Sequence, residues 1–161
     1  MNDASLPESA QRVQQALVAR GVPAVVRELP ASTRTAAEAA AAIGCTVGQI
    51  VKSLVFRSTA GAPVLVLASG SNRVDEAAVS RILGEAIAKA DAAFVKQHTG
   101  YTIGGVAPVG HPTALTTLID GDLLQYPQVW AAAGTPHAVF AVAPDRLVAC
   151  TGGRVAPVAL R

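Results

Sequence analysis

With 161 residues the chain is long enough to bury one substantial core, and its length gives no reason to expect a second domain. Hydrophobic residues make up 51% and charged residues 15%, yet Gly, Pro or a charge breaks every apolar run before it could span a bilayer, so no membrane partner is expected. A formal net charge of +2 permits local contact with a polyanion but is too small to indicate an extended nucleic-acid groove, and no DNA partner is expected.

The opening MNDASLPESAQ has neither a basic start nor an apolar stretch, so no secretory signal is expected and the cytoplasm is the simplest location. Ser5-Leu6-Pro7-Glu8 has capping-box spacing with Pro near a helix start, and Val13, Ala16 and Leu17 then share one face before Gly21 ends a first helix. VPAVVRELP follows as a strand-like run. Thr35-Ala36-Ala37-Glu38 repeats the capping box ahead of AAAAIG, a second helix closed by Gly44.

IVKSLVFRS and PVLVLAS, separated by the turn-forming TAGA, predict a hairpin of largely buried strands. Asp75 caps EAAVSRILG and Asp91 caps AAFVKQHTG, each helix ending in glycine. A Gly/Pro loop, YTIGGVAPVGHP, leads into strand-like TALTTLI, a turn at Asp120-Gly121-Asp122, then QVWAAAG, HAVFAVA and a short RVAPVAL end. Hairpins with interspersed helices, without regular βαβ alternation, predict an α+β domain with a mixed sheet, occupying residues 1–161 as one unit.

Cys45 and Cys150 are too few and too far apart for a metal spacing and read as small hydrophobes. No HxxxH, HExxH or CxxC pattern occurs, so neither a metal nor another cofactor is expected, and no G-x-S-x-G elbow supports a serine triad. His98 ends a helix, where a cation offsets the dipole, and has a structural reading. His111 in the Gly/Pro loop and His137 after AAAGTP could each line a pocket or be ordinary hydrogen-bonded histidines. In GSNRVD, capping explains Asp75, while Ser71, Asn72 and Arg73 are free to face a ligand.

Lys52 is the anomaly. Only three lysines occur, and this one sits between Ile50-Val51 and Leu54-Val55-Phe56 with Ser53 as its single polar neighbour. An ordinary strand lysine lies along apolar neighbours with its head in water. The flanks instead suggest a strand buried on both faces, carrying a compact cation suited to phosphate or carboxylate. In the loop from Gly104 to Pro112, glycines permit positive φ and close approach, and prolines stiffen the chain, so its amides could form an oxyanion site; a wide surface turn is the plainer alternative.

The order TAAEAAAAIG, IVKSLVF, GGVAPVGH and a later AG resembles the YbaK/EbsC family, the free-standing relatives of the editing domain in bacterial prolyl-tRNA synthetase. The similarity runs from about Val22 to the C-terminus. It implies a mixed, partly barrel-like sheet flanked by helices, and a trans-editing hydrolase that cleaves the ester of mischarged aminoacyl-tRNA. The family's strand lysine matches Lys52, its G-x-x-x-P loop matches Gly104 to Pro108, with Gly105 inside it, and a later loop glycine matches Gly134. Thr35 matches a position that borders the pocket in relatives. Ser53 and Thr135-Pro136-His137 fall where subfamilies differ and border the expected amino-acid pocket.

On this reading Lys52 holds the terminal phosphate of the acceptor end, loop amides hold the ester carbonyl, and water attacks, aided by the free ribose hydroxyl. A small side chain of the alanine, serine or threonine class is the expected substrate, and a synthetase is a possible docking partner. The competing readings are a non-catalytic module that holds a tRNA 3′ end or docks on a synthetase, and a hydrolase of small activated esters.

Overall fold

The structure, a computed structural model, describes residues 6–161; Ser5 of the expected first capping box lies outside them. Helix α1 spans Glu8–Ala19 with Pro7 at its N-cap and no side-chain cap bond, so Glu8 is the first helical residue rather than the third. Pro7, at φ −57° and ψ 156°, stands just outside the first helical turn. Ala10, Val13, Gln14 and Leu17 form its buried stripe.

The buried Gln14 amide explains why VPAVVRELP is mostly not a strand. Its Nε2 donates to the Ala24 carbonyl at 3.0 Å, and its Oε1 accepts from the Val26 N–H at 2.8 Å. Main-chain groups that a sheet would use are thereby satisfied by a side chain. Strand β1 is only Arg27–Glu28.

Helix α2, Ala36–Ile43, carries the expected reciprocal Thr35/Glu38 capping box and a left-handed Gly44. Strands β2, Ile50–Ser58, and β3, Pro63–Ser69, form the expected antiparallel hairpin from Val51↔Ser69 to Arg57↔Pro63. Asp75 and Asp91 cap α3, Glu76–Leu83, and α4, Ala92–Thr99, each by accepting from the N–H three residues on. Between those helices lies β4, Ile87–Lys89.

After the Gly/Pro loop come β5, Thr116–Asp120, a 3-10 turn Gly121–Gln125, β6, Val129–Ala132, and β7, Ala138–Val142. Helix α5, Pro144–Thr151, absent from the sequence expectation, precedes β8, Arg154–Ala156. The eight strands form one mixed sheet in the order β1-β7-β6-β2-β3-β5-β8, with β4 branching from β2. The path has two ends, β1 and β8, so strand pairing does not close this sheet into the partly barrel-like form expected.

Strand β3, flanked by β2 and β5 and packed on both faces, is the buried centre, which matches its continuous apolar run. One core gathers Leu17, Leu65, Leu67, Tyr101, Ile119, Phe140 and Leu147. A second packs Phe56, Val66 and Leu118 against Val79 of α3, and a third sets Ala39 and Ala40 of α2 on Ile50 and Trp130. No described helix is long and apolar enough to cross a membrane.

Candidate active site

The fork creates the site. Strand β6 pairs with β2 only at Ile50 and Val51, and β4 pairs with it only from Phe56 to Ser58. Where the two partners diverge, a cavity of about 610 Å³ opens beside Lys52, Ser53, Leu54 and Val55. Its walls come from α2 (Ala36, Ala39), β6 (Trp130, Ala131) and the Gly/Pro loop (Ile103, Gly104, Val106). Lys52 to Val55 are half-buried and not enclosed on both faces as the apolar flanks suggested, because one edge of the strand borders this space.

Thr35, Lys52, Ser53 and Gly104 of the expected site line the cavity. Lys52 Nζ donates to the main-chain carbonyl of Asn72. The Asn72 side chain does not reach the cavity: its Nδ2 donates to Asp120 at 2.9 Å and to Asp122 at 2.7 Å. Asp120, 1% exposed, also accepts from the Ser69 and Asp122 N–H groups, and Asp122 is paired with Arg161 at 3.0 Å. Asn72 is thus a bracket that fixes the lysine's acceptor, and Asp120 anchors the bracket.

Burial pushes the Lys52 ammonium below the ordinary lysine range; the Asp120 carboxylate opposes that shift and nearby Arg73 adds to it. Asp120→Asn should therefore move the alkaline limb of any Lys52-dependent activity to lower pH. A pH–rate profile of the variant with an unmoved alkaline limb would remove Asp120 from this role.

Several expected residues lie elsewhere. Ser71 is exposed, with its Oγ 3.3 Å from Ser69 Oγ. Pro108 is buried within the loop and is not a cavity wall. His111 packs edge-on to Tyr101, and its Nε2 lies 2.8 Å from the Ala107 carbonyl; burial drives its pKa down, so the neutral ring braces the loop. His137 is exposed, with Nδ1 3.2 Å from the Ala31 carbonyl. Gly134, at φ +93°, faces α1, where an added Cβ would lie 2.7 Å from the Ser9 carbonyl oxygen; its smallness serves packing.

Gly105 is the sharpest correction to the oxyanion expectation. Its N–H donates to the Thr102 carbonyl at 3.0 Å, closing a turn in which Gly104 has φ +96°. That is the type II pattern, which needs glycine at its third position. The Gly105 amide is committed to the turn, and its missing Cβ lets the loop lie against the Thr135 backbone. The Gly104 and Val106 amides remain as candidate donors on this wall.

Sequence reasoning passed over Arg34, Glu76, Lys89 and Trp130, which also line the cavity. Glu76 reads locally as a first-turn helix acid, and Arg34 as a loop residue, so neither carried a signal. Together with Lys52 and Arg73, Arg34 and Lys89 give the cavity four cationic groups against the single carboxylate of Glu76. A cation-rich, otherwise apolar chamber beside a glycine loop suits an anionic ligand bearing a small apolar or weakly polar group. Among the described residues no group of three potential metal ligands occurs.

Comparison with known proteins points to tRNA editing. A crystal structure of a candidate trans-editing enzyme for prolyl-tRNA synthetase is 52% identical, with a TM-score of 0.93 over 98% of this chain and 100% of that one. EbsC of Enterococcus faecalis, named as a candidate Cys-tRNA(Pro)/Cys-tRNA(Cys) deacylase, is 25% identical over 77% of this chain and 76% of its own. YwhH of Bacillus subtilis is 29% identical over 76% of this chain and 78% of its own. The aminoacyl-tRNA editing domain family matches residues 30–150, a span that carries Lys52, the fork and the glycine turn. The chain therefore belongs to the aminoacyl-tRNA editing domain family and is an aminoacyl-tRNA deacylase.

Proposed function

We propose that the chain acts in trans on mischarged aminoacyl-tRNA carrying a small amino acid of the alanine, serine or threonine class. The observation that carries this reading is the placement of Lys52 and the Gly104 turn on walls of one largely apolar cavity. At about 610 Å³ it falls within the roughly 300–1,000 Å³ of ordinary ligand sites, enough for a terminal nucleoside together with its aminoacyl group.

In the proposed reaction, water adds to the ester carbonyl carbon and the C–O bond to the ribose breaks. The ribose oxygen leaves with a proton, giving free amino acid and uncharged tRNA. Lys52 holds the terminal phosphate as a point charge, and the Gly104 or Val106 amide receives the oxygen on which negative charge develops. Glu76 is the acceptor available to the substrate's α-ammonium. The free ribose hydroxyl beside the ester assists the water. The acceptor end is the partner, read through few contacts, as the small net charge requires. Docking on a synthetase and a cytoplasmic setting belong to the same proposal.

The test is a deacylation panel of mischarged tRNAs with free amino-acid esters as controls. Alanyl-, seryl- and threonyl-tRNA should be cleaved in graded fashion, since one methylene separates substrates by only about 1–3 kcal/mol. Phenylalanyl-tRNA should be excluded by size. Equal cleavage of phenylalanyl-tRNA would sink selection by size. Ser53, on the cavity wall, is the first position to vary for altered preference; His137, exposed outside it, is not.

A further inference from the structure

The fork leaves part of a strand edge unpaired. Along one side β2 is laddered to β3 throughout. Along the other, among the described residues, no strand pairs with Lys52 to Val55, and no loop amide or carbonyl bonds to Ser53 or Val55. Which main-chain groups face this opening follows from parity, because successive residues of a strand turn their N–H and C=O to opposite edges. The Ile50 carbonyl accepts from Gly70 and the Ser58 N–H donates to Ala62, both on the β3 side. The Thr59 N–H donates to Ala86, on the β4 side. Even-numbered residues therefore address β3, and Ser53 and Val55 address the cavity.

The opening thus holds the Ser53 N–H and C=O and, two residues on, the Val55 N–H. Independently, the Ser53 hydroxyl is buried with no partner among the described residues. Polar groups in such a place call for a ligand or for water. We propose that this opening is the subsite for the terminal base of the acceptor end. The Ser53 C=O accepts from the base's exocyclic amino group, and the Val55 N–H donates to the adjacent ring nitrogen. The inference rests on the deacylase reading above and adds the part of the substrate that the sheet edge recognises.

The chemistry of the edge selects a base over the other polar groups of an aminoacyl end. An α-ammonium has donors only; it would satisfy the Ser53 carbonyl and set positive charge against the neighbouring N–H groups, whereas Glu76 offers it a carboxylate. An ester carbonyl has acceptors only and would leave the Ser53 C=O unpaired. A planar base edge such as that of adenine offers a donor beside an acceptor. It thereby mimics the missing strand, with side chains such as Val95, Val106, Trp130 and Ala131 as apolar walls for its ring. Lys52, one residue before Ser53, then stands where the phosphate of the same nucleotide can meet an ammonium.

The test uses the full chain and the member of the panel it cleaves fastest, with the terminal adenosine replaced by purine riboside, which lacks the amino group, or by 1-deazaadenosine, which lacks the ring acceptor. Each change should lower kcat/KM by about 10- to 100-fold, the loss expected when one half of a paired edge contact is removed. Val55→Pro removes the proposed donor without touching the β3 ladder, because that N–H points away from β3. It should impair cleavage of the adenosine-ended substrate and add little further loss on the 1-deaza substrate. Full activity on both altered ends, in a preparation that cleaves the normal one, overturns the base subsite and leaves the deacylase reading standing. Failure to cleave any adenosine-ended member takes down both.

Discussion

Lys52→Ala is expected to lower kcat/KM for deacylation by about 100-fold or more and to leave cooperative folding intact. The two halves of this expectation have separate physical grounds. An anchor that fixes a phosphate beside the reacting ester sets its geometry, and a displacement of about 1 Å at a reacting centre can cost roughly 100-fold in rate. Stability behaves differently because the Lys52 pKa is lowered in the fold, chiefly by burial. A lysine whose folded pKa lies below its unfolded value is less favourably charged in the native state, so at neutral pH its charge opposes folding. Removing it relieves that penalty and forfeits the bond to the Asn72 carbonyl. A half-buried cation kept against stability belongs to the class of group that function explains better than packing does. Lys52→Arg should restore little, since a planar fork does not reproduce a compact ammonium held by one carbonyl. Kinetics beside a thermal melt of each variant decide the matter; near-normal turnover by a folded Lys52→Ala protein would eliminate the anchor.

What could be read from the sequence divides by the range of the interaction. The Thr35/Glu38 box, the Asp75 and Asp91 caps and the β2–β3 hairpin depend on residues a few positions apart, and each forms as the spacing indicates. Helix α5 has a weak local start signal, because its N-cap is Ala143, with no side-chain cap bond and Pro144 at the first helical position. The VPAVVRELP run is strand-like in sequence yet mostly not strand, because Gln14, distant in sequence, takes the main-chain bonds of Ala24 and Val26. Lys52 was legible as an oddity, but its support was not. Ser69, Asn72, Asp120, Asp122 and Arg161 converge only after β3 and β5 pair in parallel, and no local pattern announces that. The opening in the sheet is less legible still. Nothing in IVKSLVF says that one partner strand stops at Val51 and the next begins at Phe56.

The glycine turn shows why a correct motif can carry the wrong role, and it yields the second large effect. Gly105→Val is expected to cut deacylation by about 10-fold or more and to lower stability as well. An added Cβ at Gly105 would lie 2.8–2.9 Å from three backbone atoms of Thr135, which cannot swing aside as a side-chain tip can. The loops must separate, at about 1–3 kcal/mol for overpacking of this kind. Their separation moves the Gly104 and Val106 amides relative to Lys52, so the ester would meet its phosphate anchor and its oxyanion donors out of register. Gly104→Ala offers the contrast. The three atoms nearest its Cβ would all belong to the Arg34 side chain, with Cγ at 2.9 Å, and its cost comes mainly from holding φ at +96°, about 1–2 kcal/mol. If activity depends on the two loops lying together, Gly105→Val should lose more kcat than Gly104→Ala at matched stability, read from denaturant melts and single-turnover rates. Full activity in a folded Gly105→Val protein would mean that the contact with Thr135 shapes only the surface, and that the ester carbonyl is held elsewhere in the cavity.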